Sequence, residues 1–212
     1  LVASAIKLGG AESLALVKRA QWFMEEGEYG RAESIINKIP DLLRARPMVL
    51  RLRADLCYEK GDFNQLISLL PKLSSRKVFD ESRLETLRIS AYSSYILDSA
   101  CQGDLAKIKK AWRKIPRKLK KANQILATYV GVLFKEKQYL DAEKLLRKRI
   151  QAEWDSHLVA LYGEVQTDAP QKILKNLEDW GRNHQDDAGL GIARARQFMQ
   201  AGMWGQARGT VS

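Results

Sequence analysis

The sequence predicts an all-α chain built of helix hairpins, and three observations predict it. A Gly-acid-aromatic triplet recurs at Gly27-Glu28-Tyr29 and Gly61-Asp62-Phe63, 34 residues apart. Apolar residues between the triplets fall at helical spacing, as at Ala32, Ile35, Ile36 and Ile39. No sustained period-two alternation bounded by turns occurs, so strands are not expected.

Thirty-four residues is the period of the tetratricopeptide repeat, or TPR, a pair of antiparallel helices that stacks on its neighbours. The fold class expected is therefore an all-α, TPR-like right-handed solenoid of about six units. Their approximate spans are 11–45, 46–76, 81–116, 119–152, 155–184 and 187–212, and together they read as a single repeat domain. In each triplet the glycine suits a left-handed residue that closes the first helix. The acid can cap the second helix, and the aromatic packs between the two.

Taken in order, the third turn is Gly103-Asp104-Leu105, 42 residues after Gly61, and the extra eight residues are expected around Ser74-Ser75-Arg76-Lys77. The fourth is Lys137-Gln138-Tyr139, where Lys replaces Gly and a strained or altered turn is expected. A weaker one falls at Asp168-Ala169-Pro170, and Gly202-Met203-Trp204 closes the series. Five residues past the turn glycine a small residue allows close approach at Ala32, Ala142 and Ala207, with Leu66, Ile108 and Ile173 in the other units. Seven residues before it lie Ala20, Ala54 and Ala195. Further stripes run through Leu66, Ile67, Leu69 and Leu70, and through Leu140, Leu145, Leu146 and Ile150. Pro40, Pro71 and Pro116 are expected to stop second helices, and Pro170 to begin a helix.

Composition bounds the chemistry. Hydrophobic residues make up 45% of the 212, enough for a core, and the net charge of +11 favours an anionic partner. Nine cations crowd one 15-residue stretch free of acids: Lys107, Lys109, Lys110, Arg113, Lys114, Arg117, Lys118, Lys120 and Lys121. They are the candidate contacts for an anionic surface, although the same charges suit a solvated helix face. Only Trp112 interleaves with them, which is poor in aromatics for a single-strand binder, so nucleic acid is not expected as partner. Arg44, Arg46, Arg51 and Arg53 form a looser second cluster.

Catalysis is not expected. His157 and His184 lie in no metal-ligand spacing, and there is no phosphate loop or nucleophile elbow. His184 is expected to complement helix-terminal carbonyls. Glu25-Glu26 and Asp186-Asp187 read as caps or surface charges, and Cys57 and Cys101 as small buried hydrophobes. No metal or cofactor site is assigned. The five tryptophans, Trp22, Trp112, Trp154, Trp180 and Trp204, read as packing residues between units. The groove of such an array is its usual binding face, and Gln21, Arg51, Asp55, Tyr58, Ser93 and Gln124 occupy the first-helix positions that tend to face it.

Several strings carry a resemblance. Ala111-Trp112-Arg113-Lys114-Ile115-Pro116, Ala142-Glu143-Lys144-Leu145-Leu146-Arg147, Trp154-Asp155, Leu158-Val159-Ala160-Leu161-Tyr162-Gly163 and Trp204-Gly205-Gln206-Ala207-Arg208 resemble the HemY family of proteobacterial inner-membrane TPR proteins. The likeness covers residues 105–210 well and the first hundred only through the repeats. It implies two N-terminal membrane helices, absent here, then a TPR region on the cytoplasmic side of the bacterial inner membrane, with the final unit here cut short. It also implies a non-catalytic role at a late step of protohaem synthesis, with a late haem-pathway enzyme as the protein partner. Alternatives left open are a haem- or porphyrin-binding carrier, prompted by Cys57, Tyr58 and the two histidines, and a generic protein-interaction TPR module.

Overall fold

A computed structural model describes residues 2–101 and 103–205, with side chains at 12, 14–101 and 103–205. Among these the chain is all-helical, with eleven α-helices, two short 3-10 turns and no strand. The helices are α1 Val2–Glu25, α2 Tyr29–Asn37, α3 Pro47–Lys60, α4 Phe63–Ser75, α5 Glu81–Ala100, α6 Leu105–Lys114, α7 Asn123–Lys135, α8 Tyr139–Ala152, α9 Ser156–Tyr162, α10 Pro170–Gly181 and α11 Ala188–Gln200. The chain divides into two compact units, Leu1–Tyr95 and Ile96–Ser212.

The hairpin turns form as their residues dictate. Gly27, Gly61, Gly103 and Gly202 take φ of +73°, +70°, +59° and +74°. At Gly27 the amide donates to the Met24 carbonyl and the next amide, Glu28, reaches back to Phe23, which satisfies two carbonyls that a helix end leaves orphaned. Gly61 and Gly202 repeat the pattern. Lys137 repeats it too, donating to Phe134 while Gln138 donates to Leu133, at φ +55°. The altered shape expected there is absent, because the hydrogen bonds hold a lysine in the glycine geometry and the cost is conformational. A left-handed L-residue costs about 1–2 kcal/mol, part of which glycine gives back through its freer unfolded chain. Lys137→Gly is therefore expected to stabilise by about 0.5–1 kcal/mol, read as a rise in melting midpoint of about 1–4 °C.

The acids divide by length. Asp62 accepts from the Gln65 amide and Asp104 from Ala106 and Lys107, whereas Glu28 makes no capping bond with its longer side chain. Asp80, Asp155 and Asp187 cap α5, α9 and α11 in the same way.

In the first unit α3 is buried on two sides. Val49, Leu52 and Leu56 join Val17, Ala20, Phe23, Ala32, Ile35, Ile36 and Ile39 from α1, α2 and the chain just beyond. Leu50, Ala54 and Cys57 join Leu66, Leu69, Leu70, Leu73, Leu84, Leu87 and Ala91 from α4 and α5. A helix that feeds two cores has little amphipathicity of its own, and each of its fully buried leucines contributes about 1.5–3 kcal/mol.

Several expectations are corrected. Pro71 does not stop α4 but lies inside it, four residues before Ser75, while Pro40 and Pro116 do follow helix ends. The eight extra residues before Gly103 do not swell the segment around Ser74; α5 runs 20 residues where α7 runs 13. At Asp168-Ala169-Pro170 there is no tight turn, since α9 ends after seven residues and an irregular stretch leads to Pro170, which does open α10. Leu140 is 70% exposed, so the α8 stripe is Ala142, Leu146 and Ile150, joined by Glu143. Ala20 and Ala54 are fully buried, but in α11 the buried small residue is Ala193 rather than Ala195. The five-past-the-turn position is buried at Ala32, Leu66, Ile108, Ala142 and Ile173; Ala207 lies outside the described residues. Cys101 is exposed, just past the end of α5, and Trp22 and Trp204 are exposed at 55% and 62%.

Candidate functional site

In the first unit, α3 places Arg51, Asp55 and Tyr58 at helical spacing on the side that meets the start of α5. Arg83 ties them together: its guanidinium lies 3.5 Å from Asp55 and 5.3 Å from the Tyr58 ring centroid. Arg51 sits over Phe79 at 5.2 Å, and Phe63 meets Tyr58 edge-on at 6.3 Å. Burial raises the Asp55 carboxyl above its usual range, while Arg83 and Arg51 pull it back. Gln21 on α1 and Ser93 on α5 are half-buried in the same unit. Gln124 is exposed on α7, in the second unit. Arg83 and Phe79 had no signal in the repeat pattern, because their partners are fixed by how α5 crosses α3.

In the second unit the basic stretch spans α6 and the 3-10 turn Leu119–Lys121. Ile108, Ala111 and Ile115 anchor it inward, so its cations fan around the remaining surface. Lys107, Lys110, Lys114, Arg117, Lys118 and Lys121 are exposed. Lys109 instead reaches α8 and pairs with Asp141 at 2.7 Å. Trp112 stacks flat on Tyr129 of α7, 4.2 Å between centroids and 1° from parallel, and the Lys120 ammonium lies 5.4 Å from the indole centroid. Burial pushes the Tyr129 hydroxyl up to about 12, so it stays protonated at neutral pH.

These contacts enclose a cleft of about 510 Å³ lined by Lys109, Trp112, Arg113, Tyr129, Asp141, Lys144 and Leu145. Its floor is aromatic and aliphatic, and its rim carries three cations and one carboxylate. The linear sequence exposed the α6 cations but not Tyr129, Asp141 or Lys144. The available signal was spacing: Lys109 and Asp141 are 32 residues apart, close to one repeat.

A second cleft, about 340 Å³, lies beside Trp154, Trp180 and His184. His184 does not serve the α10 carbonyls with its side chain. Its ring stacks on Trp154 at 3.7 Å, with Trp180 edge-on to the same indole. The Trp154 indole donates to Asp187 at 3.0 Å, Ser156 donates to the other carboxylate oxygen at 2.9 Å, and the Leu190 amide joins it at 2.8 Å. Asp187 is thus the joint between α9 and α11 rather than a surface charge. His157 is exposed.

A buried polar network lies between α8, α9 and α10. Glu143 accepts from Arg147 at 2.8 Å and from the Tyr162 hydroxyl at 3.0 Å, and Asn176 donates to that hydroxyl at 2.7 Å. Burial and the neighbouring carboxylate push Tyr162 far above the ordinary tyrosine range. Every member of this network that is described has a partner, as a structural network requires. Cys57 donates its thiol to Gln65 at 3.1 Å, and burial pushes it up to about 11, so it is a poor nucleophile or thiolate ligand at neutral pH. Among the described residues no cluster of three or more His, Cys, Asp or Glu side chains is arranged to hold a metal ion. None of the described helices is long and apolar enough to cross a membrane.

The chain is similar to Protein HemY of Escherichia coli. Identity is 19% over 204 residues, covering 96% of this chain, and Protein HemY of Shigella flexneri matches to the same degree. The chain spans about half the length, 51%, of these curated relatives. No family model matches it, and no solved structure matches it significantly. The similarity to the HemY proteins extends over both compact units, beyond the second-unit strings that carry the resemblance in sequence.

Proposed function

We propose that the chain is a non-catalytic TPR-type scaffold that holds a protein partner and is associated with a late step of protohaem synthesis. The observation that carries the association is the similarity to Protein HemY along 96% of the chain. The TPR reading is supported by hairpin turns that repeat one left-handed geometry at 34-residue spacing, at Gly27 and Gly61 and again at Gly103 and Lys137. It is supported too by α3, which buries opposite sides against the hairpins before and after it, as stacked repeats do. A binding role is favoured by side-chain clusters that are mutually satisfied rather than poised. Cys57, Tyr58, Glu143 and His184 are each engaged by a neighbour. The reading places the chain in a membrane-anchored protein of the bacterial inner membrane, with this region on the cytoplasmic side and a late haem-pathway enzyme as partner.

Crosslinking the full-length protein in its native membrane, followed by identification of what is attached, tests it. The expected product is a single dominant partner of the haem pathway, captured less well when Arg51→Glu is combined with Tyr58→Ala. Capture of no partner above the uncrosslinked background would defeat the scaffold reading.

A further inference from the structure

The cleft between α6 and α8 has features that the proposed function does not yet use. Asp141 is the sole carboxylate among its lining residues, and the Lys109 ammonium at 2.7 Å already neutralises it. No carboxylate among the described residues pairs with Arg113 or Lys144, both exposed on the rim. Beneath them lie Trp112, Tyr129 and Leu145, with Leu145 half-buried and Tyr129 buried. The site therefore offers two uncompensated cations above an apolar floor, in a recess of about 510 Å³.

Three kinds of anionic partner carry charges that would suit such cations, and the geometry separates them. A nucleobase needs an open aromatic face, but Trp112 is stacked flat on Tyr129 and has the Lys120 ammonium over its ring. A bilayer meets outward-facing charge, which is the arrangement of Lys107, Lys110 and Lys114 on the rest of α6, not of a recessed floor. An extended acidic peptide with one apolar side chain fits both features at once: carboxylates on Arg113 and Lys144, and the apolar group on Trp112 and Leu145.

Resting on the scaffold reading above, we propose that this cleft is where the partner is held, through an acidic segment carrying a single large aliphatic residue. Arg113 and Lys144 supply charge complementarity, and the Lys109–Asp141 pair sets the width of the cleft by tying α6 to α8.

The test uses the whole 212-residue chain and a fluorescein-labelled dodecapeptide of Asp and Glu with one central Leu. Fluorescence anisotropy should show saturable, salt-sensitive binding that weakens about tenfold or more in Arg113→Glu with Lys144→Glu. The same charge change at Arg117→Glu with Lys118→Glu, on exposed residues outside the cleft, should cost about twofold or less. Replacing the central Leu of the peptide by Gly should weaken binding to the unaltered protein about fivefold, an arm that needs no protein variant. Equal losses in the two double variants, or indifference to the central Leu, would overturn the proposal in favour of diffuse charge attraction. Phosphatidylglycerol vesicles that lose binding in step with the peptide when Arg113 and Lys144 are reversed would overturn it in favour of lipid. A partner captured by crosslinking while the peptide ignores the cleft would defeat this placement alone. Peptide bound in the cleft without any captured partner would defeat the scaffold reading alone.

Discussion

Gly189→Ala is expected to destabilise the second unit by about 3 kcal/mol or more, lowering its melting midpoint by about 6–12 °C. Gly189 opens α11 where that helix touches the start of α9. Its amide donates to the Ser156 hydroxyl at 3.0 Å, and a Cβ there would collide with the Ser156 carbonyl oxygen and lie 2.7 Å from its carbon. Backbone cannot swing aside as a flexible side chain can, so the helices must separate and give up burial along their whole contact. The other end of the same pair is as close: a Cβ on Gly163 would fall on the backbone of Ala193, 2.9 Å from its carbonyl oxygen. Gly131, inside α7, is the control. A Cβ there meets nothing within 4 Å, and Gly131→Ala should stabilise by about 0.5–1 kcal/mol through helix propensity. Two identical substitutions with opposite signs, read by thermal or urea unfolding, check the α9–α11 contact. A Gly189→Ala protein that melts with the parent would refute it.

Asp187→Ala carries the second large effect, a loss of about 2–4 kcal/mol. One carboxylate caps α11 through the Leu190 amide and also accepts from the Trp154 indole and the Ser156 hydroxyl. A lost cap costs about 1 kcal/mol, and hydrogen bonds to a charged acceptor are worth about 1.5–3 kcal/mol each before water compensates. Burial alone would raise this carboxyl, but the three hydrogen bonds and nearby His184 outweigh it and hold it below its ordinary value of 3.8. The depressed value fixes the sign of the pH dependence. The stabilisation is complete above the unfolded value near 4 and is lost as pH falls through the lower folded value. Urea midpoints of parent and Asp187→Ala should therefore differ by a constant amount from neutral pH down to about pH 5 and converge in stronger acid. A gap that persisted unchanged at pH 2 would mean that the carboxylate charge is not what holds the joint.

The hairpin turns were legible because everything that makes them lies within about six residues. A residue able to adopt positive φ, an aspartate three residues ahead of an amide it can cap, and a proline in a first turn are local facts, and Gly61-Asp62 and Pro170 behave as written. Lys137 was legible in place but not in shape, since the strength of the back-bonded turn exceeds the cost of a lysine within it. Misreadings cluster where local preference met a wider constraint. Pro71 should end a helix by local rules, yet it stays inside α4, which carries on to bury Leu73. Of the candidate site, the cations of α6 stood out in the chain as written. The apolar floor that makes a cleft of them did not, because Tyr129 and Leu145 come from two other helices.

By itself, then, the order of residues determined an all-helical chain, the positions of its tight turns and the sign of its charge, each a matter of neighbouring residues or of composition. Only the tertiary structure decided that Asp187 joins two helices, that Gly189 and Gly163 admit no side chain, and that Lys109 pairs with Asp141 while Arg113 and Lys144 do not. Those outcomes depend on the rotation and length of each helix as it packs, and a change of one residue in length turns a helix by about 100°, moving a side chain from the floor of a cleft to its rim.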